Sequence, residues 1–275
     1  QFFVPNVRSP RSTILVNELQ TTVLSEKFVE GKSFQYHLEK RFHDIEARLG
    51  ITPGAVMIGH IYSDKSNGHS HVPGECTRYI IDRWQGKAPI FLNLGHSQIE
   101  LGIWFWEEAF LQATVIQMNI WEYKQLMKEE EHFPSLRKII DWFTHRKISG
   151  VIRGRFGALG TYRDGKDGLI YGQPLLPPGM IVDTTGAGDA FAAGLAAALI
   201  GKKDFTFPDF QDAMAQAGLW ASYACITYGG SGSCPGRPTL ETFLREIDGD
   251  YLTPVRIIKK ESAGPMLDMM DRLYC

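Results

Sequence analysis

The residues of this 275-residue chain whose types and spacing could do chemistry are concentrated in one run, Asp183-Thr184-Thr185-Gly186-Ala187-Gly188-Asp189-Ala190-Phe191-Ala192-Ala193-Gly194. It follows the apolar pair Ile181-Val182 and opens a helix-like stretch from Ala190 to Ile200. Small residues at a helix start leave backbone N–H groups uncovered, and the helix dipole adds partial positive charge there. The Gly186-Ala187-Gly188 turn therefore reads as an anion site. Asp189 falls in the same turn, where an acid has no role in merely holding an anion. A carboxylate beside an anion hole fits one that takes a proton from a hydroxyl attacking a phosphoryl group held in the hole. The plainer reading is a strand-to-helix turn with Asp189 as a cap.

The elements that must position this run alternate between strand and helix. Strand patterns fall at Arg11 to Val16, Ala55 to Tyr62, Ala88 to Leu94, Ala113 to Met118 and Gly150 to Arg153. A hairpin follows from Leu159 to Arg163, through Asp164-Gly165-Lys166-Asp167-Gly168, to Leu169 to Tyr171. Helix-period patterns cover Phe34 to Leu49, Cys76 to Gln85, Ile103 to Leu111, Ile120 to Lys128, Ser135 to His145, Phe207 to Tyr228, Thr239 to Ile247 and Leu267 to Tyr274. Ser63 to Pro73 is a polar, Gly- and His-bearing loop. Such alternation predicts an α/β fold, a mainly parallel sheet flanked by helices on both faces. No internal repeat is visible, so residues 1–275 are read as one domain.

Composition narrows the function classes. Apolar residues make up 44% and charged residues 22%, as expected of a globular chain with a substantial core. A net charge of −2 leaves no electrostatic footprint for nucleic acid or an anionic membrane. No apolar run approaches the ~18 residues of a membrane span. Cys76, Cys225, Cys234 and Cys275 are scattered with no C-x-x-C pair, which favours a reducing compartment. The expected location is cytoplasmic, or an organelle, since any address preceding Gln1 would lie outside this sequence. His60, Asp64, His69, His71 and Cys76 suggest a metal site, but without a second fixed ligand pair the loop reading is favoured. Trp104-Phe105-Trp106 reads as core packing rather than a base-stacking platform, because no basic residues interleave with it.

The Asp183 to Gly194 run resembles the second signature of the ribokinase-like (PfkB) carbohydrate kinases, and the resemblance extends in order along the chain. Asn119-Ile120-Trp121-Glu122, after the strand Ala113 to Met118, is similar to the family's N-x-x-E motif. Ile152-Arg153-Gly154-Arg155-Phe156-Gly157 resembles its T-x-G-x-x-G strand and turn, with Ile152 where the threonine would stand. Ala213 to Pro235 resembles the Ala-rich helix and Gly-rich segment near the adenine, Arg11-Ser12-Thr13 an arginine-led strand, and Phe91-Leu92-Asn93-Leu94-Gly95 an asparagine-bearing strand end. The match covers about residues 11–235, and 236–275 reads as a C-terminal helical extension. The family's opening strand, its glycine-pair segment and its lid over the substrate have no counterpart, so the lid sheet is expected to be absent or incomplete.

The resemblance implies a ribokinase-like fold and ATP-dependent phosphorylation of a hydroxyl on a sugar or nucleoside. Asp189 would be the base, and Gly186, Ala187 and Gly188 the backbone donors to the transferring group. Asn119 and Glu122 would hold Mg2+ through water. Asp183 and Thr185 would serve a monovalent cation, K+. Adenine would lie between the Gly154 and Gly157 turn and the segment holding Tyr223, Thr227, Gly229 and Gly230. For Asn119 and Glu122 the alternative is an N-cap with a solvated glutamate. Asp183 could simply brace its loop, and Gly154 and Gly157 could form a plain turn. Arg153 and Arg155 could pair with phosphates, although exposed arginines usually do not. The implied partners are ATP and a small hydroxyl-bearing substrate, in a homodimer or as a subunit of a larger assembly. The contrasting expectation is a catalytically inactive kinase-like subunit with a structural or regulatory role.

Overall fold

The computed structural model describes residues 12–16, 21–25, 53–59, 74–128, 135–165, 168–229, 237–246 and 255–272. The expected helix over 34–49 and loop over 63–73 lie outside them. Strands β1 (Ser12–Val16) and β2 (Thr21–Ser25) form a separate antiparallel pair, with Ser12 opposite Ser25 and Val16 opposite Thr21. The other seven strands make one sheet whose spatial order follows the chain: β3 (Val56–Ile58), β4 (Ile90–Leu92), β5 (Val115–Asn119), β6 (Gly150–Gly154), β7 (Gly157–Thr161), β8 (Leu169–Gly172) and β9 (Val255–Ile258).

The pairings β3–β4, β4–β5 and β5–β6 are parallel, whereas β6–β7, β7–β8 and β8–β9 are antiparallel. The parallel expectation thus describes the first half of the sheet. The second half is a meander, because only the two residues Arg155 and Phe156 separate β6 from β7, too short a link for a crossover. Strand β9 was not anticipated from sequence. It places an edge strand within the segment expected to be a helical extension.

Parallel strands that step steadily in one direction, joined by right-handed crossovers, put all their connecting helices on one face. That face carries α1 (Glu75–Trp84), the single turn α2 (His96–Ile99), α3 (Ile103–Gln112), α4 (Ile120–Leu126) and α5 (Leu136–Arg146). Ile81, Trp106, Phe110, Tyr123, Ile139 and Phe143 are buried there against Leu92, Met118 and Ile152. The opposite face is left for α6 (Ala187–Ala198) and α7 (Phe207–Ala224), whose Phe191, Leu195, Phe210 and Ala217 pack on Phe91, Val115 and Val151. Alternation along β6 is the cause: Val151 faces one layer and Ile152 the other. The abundance of alanine and glycine in α6 reflects its close approach to α7. A Cβ on Gly194 would meet the Ala217 Cα at 3.0 Å.

The chain closes with α8 (Arg237–Glu246) and α9 (Gly264–Arg272). Asp271 on α9 pairs with Lys124 on α4 at 2.8 Å and also accepts the Leu136 N–H at 3.2 Å. Trp106 of the aromatic run is buried, as expected of core, with its indole N–H donating to the Gln98 carbonyl at 2.7 Å, but Trp104 is exposed. Among the described residues no helix is long and apolar enough to cross a membrane.

Candidate active site

In an open α/β sheet, ligands bind outside the carboxyl ends of the parallel strands. The residues leaving those ends here are Asn93 after β4, Asn119 and Glu122 after β5, and Arg153 and Gly154 at the end of β6. Asn119 is the N-cap of α4: its side-chain oxygen accepts the Glu122 N–H at 2.8 Å, and Glu122 Oε2 accepts the Asn119 N–H at 2.7 Å. This reciprocal capping box accounts for the N-x-x-E spacing locally. One Glu122 oxygen and the Asn119 oxygen are therefore engaged by backbone, which suits them to a metal's water shell better than to direct ligation. Tyr123 lies beneath, its hydroxyl 3.2 Å from the Val151 carbonyl, and burial pushes that phenol well above its ordinary pKa.

Arg153 crosses the mouth of the site. Its Nη2 donates to Asn93 Oδ1 at 3.2 Å, and its Nη1 donates to the Gly188 carbonyl on α6. Burial lowers its pKa, while the nearby negative charges of Glu122 and Asp189 oppose that shift. Gly188 permits this approach, since a Cβ there would meet Arg153 Nη1 at 2.7 Å. Ile152 is fully buried in the core and offers no hydroxyl to the site. Arg155 is exposed.

The signature run begins as an extended segment. The N–H groups of Val182 and Asp183 both donate to the Cys225 carbonyl, at 2.8 and 3.2 Å. The buried Asp183 carboxylate accepts the Thr185 N–H at 2.9 Å and the Gly229 N–H at 3.0 Å, and these bonds, led by that from Thr185, hold its pKa below the ordinary value. Its carboxylate thus braces two loops. Gly186, at φ 80°, is the left-handed N-cap of α6. The helix starts at Ala187 rather than Ala190, so Asp189 sits inside the first turn, with its side chain exposed. The Ala187 N–H turns back to the Thr184 carbonyl at 3.2 Å. The N–H groups of Gly188 and Asp189 belong to the first turn, which lacks intrahelical acceptors.

The positions expected around adenine have clear structural roles. Gly154 and Gly157 pair across the tight β6–β7 turn, and Gly157 has φ 103° with the place of a Cβ taken by the Gly172 carbonyl oxygen. Tyr223 packs edge-on against Phe243 with ring centres 5.3 Å apart. Thr227 is half-buried, Gly229 meets Asp183, and Gly230 lies outside the described residues. His60, Asp64, His69 and His71 also lie outside them, as does the side chain of Cys76. Among the described residues no three His, Cys, Asp or Glu side chains gather in a way that could hold a metal directly.

The residues that sequence reasoning underweighted are Asn93 and Arg153. From sequence, Arg153 was one of two arginines that could pair with phosphates, set against the plainer reading of an exposed side chain. Its bridge to Gly188 spans 35 positions of sequence, and no local pattern reports it.

Fold and site thus define an α/β protein in which a helix N-terminus, an acid and a guanidinium converge at the carboxyl ends of parallel strands. The sequence model of the pfkB family carbohydrate kinases matches residues 107–238, the stretch from α3 through the signature run into α8. The whole fold is ribokinase-like. A fructokinase from Vibrio cholerae O395, solved with fructose, ADP and calcium ion, is similar at 18% identity and a TM-score of 0.59, over 88% of this chain and 75% of that one. A nucleoside kinase from Burkholderia thailandensis, solved with inosine, is similar at 18% identity and a TM-score of 0.60, over 90% and 71%. The nucleoside kinase of Methanocaldococcus jannaschii, described as an archaeal member of the ribokinase family, reaches 14% identity and 0.57, over 87% and 69%. No curated protein sequence matches the chain.

Proposed function

We propose that this protein is an ATP-dependent phosphotransferase that phosphorylates a hydroxyl of a sugar or nucleoside. The observation that carries the reading is Asp189, exposed within the first turn of α6 next to side-chain-free backbone at Gly186 and Gly188. A carboxylate there can accept the proton of an acceptor hydroxyl while the oxygen forms its bond to the terminal phosphorus. The bond from that phosphorus to the bridging oxygen breaks, and ADP leaves with the electron pair. The N–H groups of Gly186 and Gly188, in the positive end of the helix dipole, stabilise charge on the equatorial oxygens, and that of Ala187 joins them by leaving the Thr184 carbonyl. Both reacting groups are thereby held by one rigid element.

Mg2+ fits the site in outer-sphere form: Asn119 and Glu122 would orient its waters, and the ion would neutralise phosphate charge. Asp183 and Thr185 shape the loop around which K+ would be held. Adenine is assigned to the region between the Gly154 turn and the Tyr223 to Gly229 segment. The fructokinase structures described with ADP and calcium or potassium ions support nucleotide and cation use by analogy of fold.

A second reading, a kinase-like subunit without turnover, is favoured by the buried Ile152 at the family's threonine position and by the bond that draws Arg153 onto Gly188. One experiment separates the two. The chain is incubated with ATP and Mg2+ against a panel of free sugars and nucleosides, and ADP release is followed. Acceptor-dependent release that disappears in Asp189→Asn, with ATP binding retained, is the expected result. Equal turnover in that variant would remove Asp189 as the base, and no acceptor-dependent release from any sugar or nucleoside would favour the subunit reading.

A further inference from the structure

The guanidinium of Arg153 is a second source of positive charge at the helix N-terminus. Of its five N–H donors, one reaches Asn93 and one the Gly188 carbonyl, and Nε is buried without a hydrogen-bond partner among the described residues. Burying an arginine is costly unless its charge is met. Its described hydrogen bonds run to neutral oxygens, and the negative charges of Glu122 and Asp189 act on it through space. A half-buried cation, its Nε enclosed, is thus held beside the positive end of a 12-residue helix. Two positive sources set side by side repel, and an anion between them relieves both.

We propose that Arg153 is a phosphate-binding residue of this site, its guanidinium joining the N-terminus of α6 in taking the terminal phosphate of a bound nucleotide or pyrophosphate. Resting on the reading of the site as a nucleotide site, the assignment adds a residue and a property. Arg153 carries fixed charge that a divalent ion would otherwise supply alone, so part of the affinity for a diphosphate persists without metal. Its planar fork is suited to two oxygens of one phosphate in a way that a lysine ammonium is not. The bonds to Asn93 and Gly188 hold the fork in place before the anion arrives, which limits the ordering cost on binding. Gly188 is required for the same reason: any side chain there would push the guanidinium away.

The test measures binding of inorganic pyrophosphate and of ADP to the full chain by calorimetry in EDTA, with thermal melting as the fold control. Wild-type protein is expected to bind both without metal. Arg153→Gln should weaken both about tenfold or more, the size of one charge-assisted contact. Arg153→Lys, which keeps the charge and loses the fork, should fall between. Affinity in Arg153→Gln within about twofold of wild type, with a matching melting temperature, overturns the proposal, as does an absence of metal-free binding by wild type. If Arg153→Gln does not fold, Arg153→Lys decides alone: a loss of about threefold or more supports the assignment and an unchanged affinity overturns it. None of these readouts needs turnover. Arg153-dependent binding without any acceptor-dependent ADP release would leave this assignment standing and remove the kinase reading, and the converse pattern would do the reverse.

Discussion

The Asp183 carboxylate accepts the backbone N–H of Gly229 at 3.0 Å, joining loops 46 residues apart. Its other oxygen takes the Thr185 N–H, so one buried side chain fixes both the entry to α6 and the exit from α7. Whatever binds between those loops meets a pre-set backbone.

Removing that brace should therefore weaken the fold in a pH-dependent way. The two N–H bonds hold the Asp183 pKa below its ordinary value in the folded state. A carboxyl depressed by folding contributes its stability where the unfolded group is already ionised, above about pH 4, and loses it as pH falls through the folded value. Asp183→Ala leaves two part-buried N–H groups without their acceptor and should cost about 1–3 kcal/mol at pH 7. Asp183→Asn should cost less, and its gap to wild type should close as the pH is lowered below about 4. Urea midpoints taken from neutral to acid pH check this; a gap that stays constant with pH would contradict it.

The Asn119–Glu122 box predicts a separation of stability from chemistry. Asn119→Ala loses the cap of α4 and should destabilise by about 1 kcal/mol. Glu122→Gln keeps an oxygen for the Asn119 N–H but loses the charge, so its melting temperature should stay near wild type. If Glu122 orders metal waters, the Mg2+ concentration needed for half-maximal ADP release should rise severalfold in that variant. Unaltered Mg2+ dependence would leave Glu122 with the cap alone.

Lys124 and Asp271 form a pair with side-chain exposures of 7% and 20%, so neither charge can relax readily into water. Breaking it from either side should cost roughly 3 kcal/mol or more by leaving one charge buried and uncompensated. Lys124→Met combined with Asp271→Leu should recover much of that loss. Chemical denaturation of the three variants tests whether α9 is tied to α4 by this pair; equal stability of Lys124→Met and wild type would show that it is not.

Gly157 has no room for a side chain, because the Gly172 carbonyl oxygen occupies the Cβ position and the backbone is at φ 103°. Gly157→Ala should lower stability by about 2 kcal/mol or more through strain in the turn that presents Arg153 and Gly154. Gly179→Ala, where a Cβ would meet nothing within 4 Å, is the control and should change the unfolding midpoint little.

Much of this molecule was readable from local pattern, and for a physical reason. Periodicity and capping are short-range: the helices at 75–84, 103–112, 136–146 and 207–224 and the strands at 90–92, 115–119 and 150–154 fell where hydrophobic spacing and turn residues put them. The signature run was legible because it needs consecutive small residues and an acid within one helical turn. Strand β9 was not, since Val255 to Ile258 gains its partner only by pairing with β8, 87 residues earlier by the register Ile170 opposite Ile257. The change from parallel to antiparallel pairing at β6 was likewise missed. A hairpin and a crossover begin from the same strand pattern and differ only in the length of the link.

By itself, then, the amino-acid order determined the alternating elements, the helix that opens at Gly186 and the acid in its first turn. Those depend on residues within a few positions of one another. Only the tertiary structure decided what surrounds that turn. It closed Asn119 and Glu122 into a cap, set Asp183 against Gly229, buried Ile152 in the core and laid Arg153 across to Gly188. Each of these depends on strand register, crossover hand or layer packing, which bring distant residues within hydrogen-bond reach and leave no trace in local spacing.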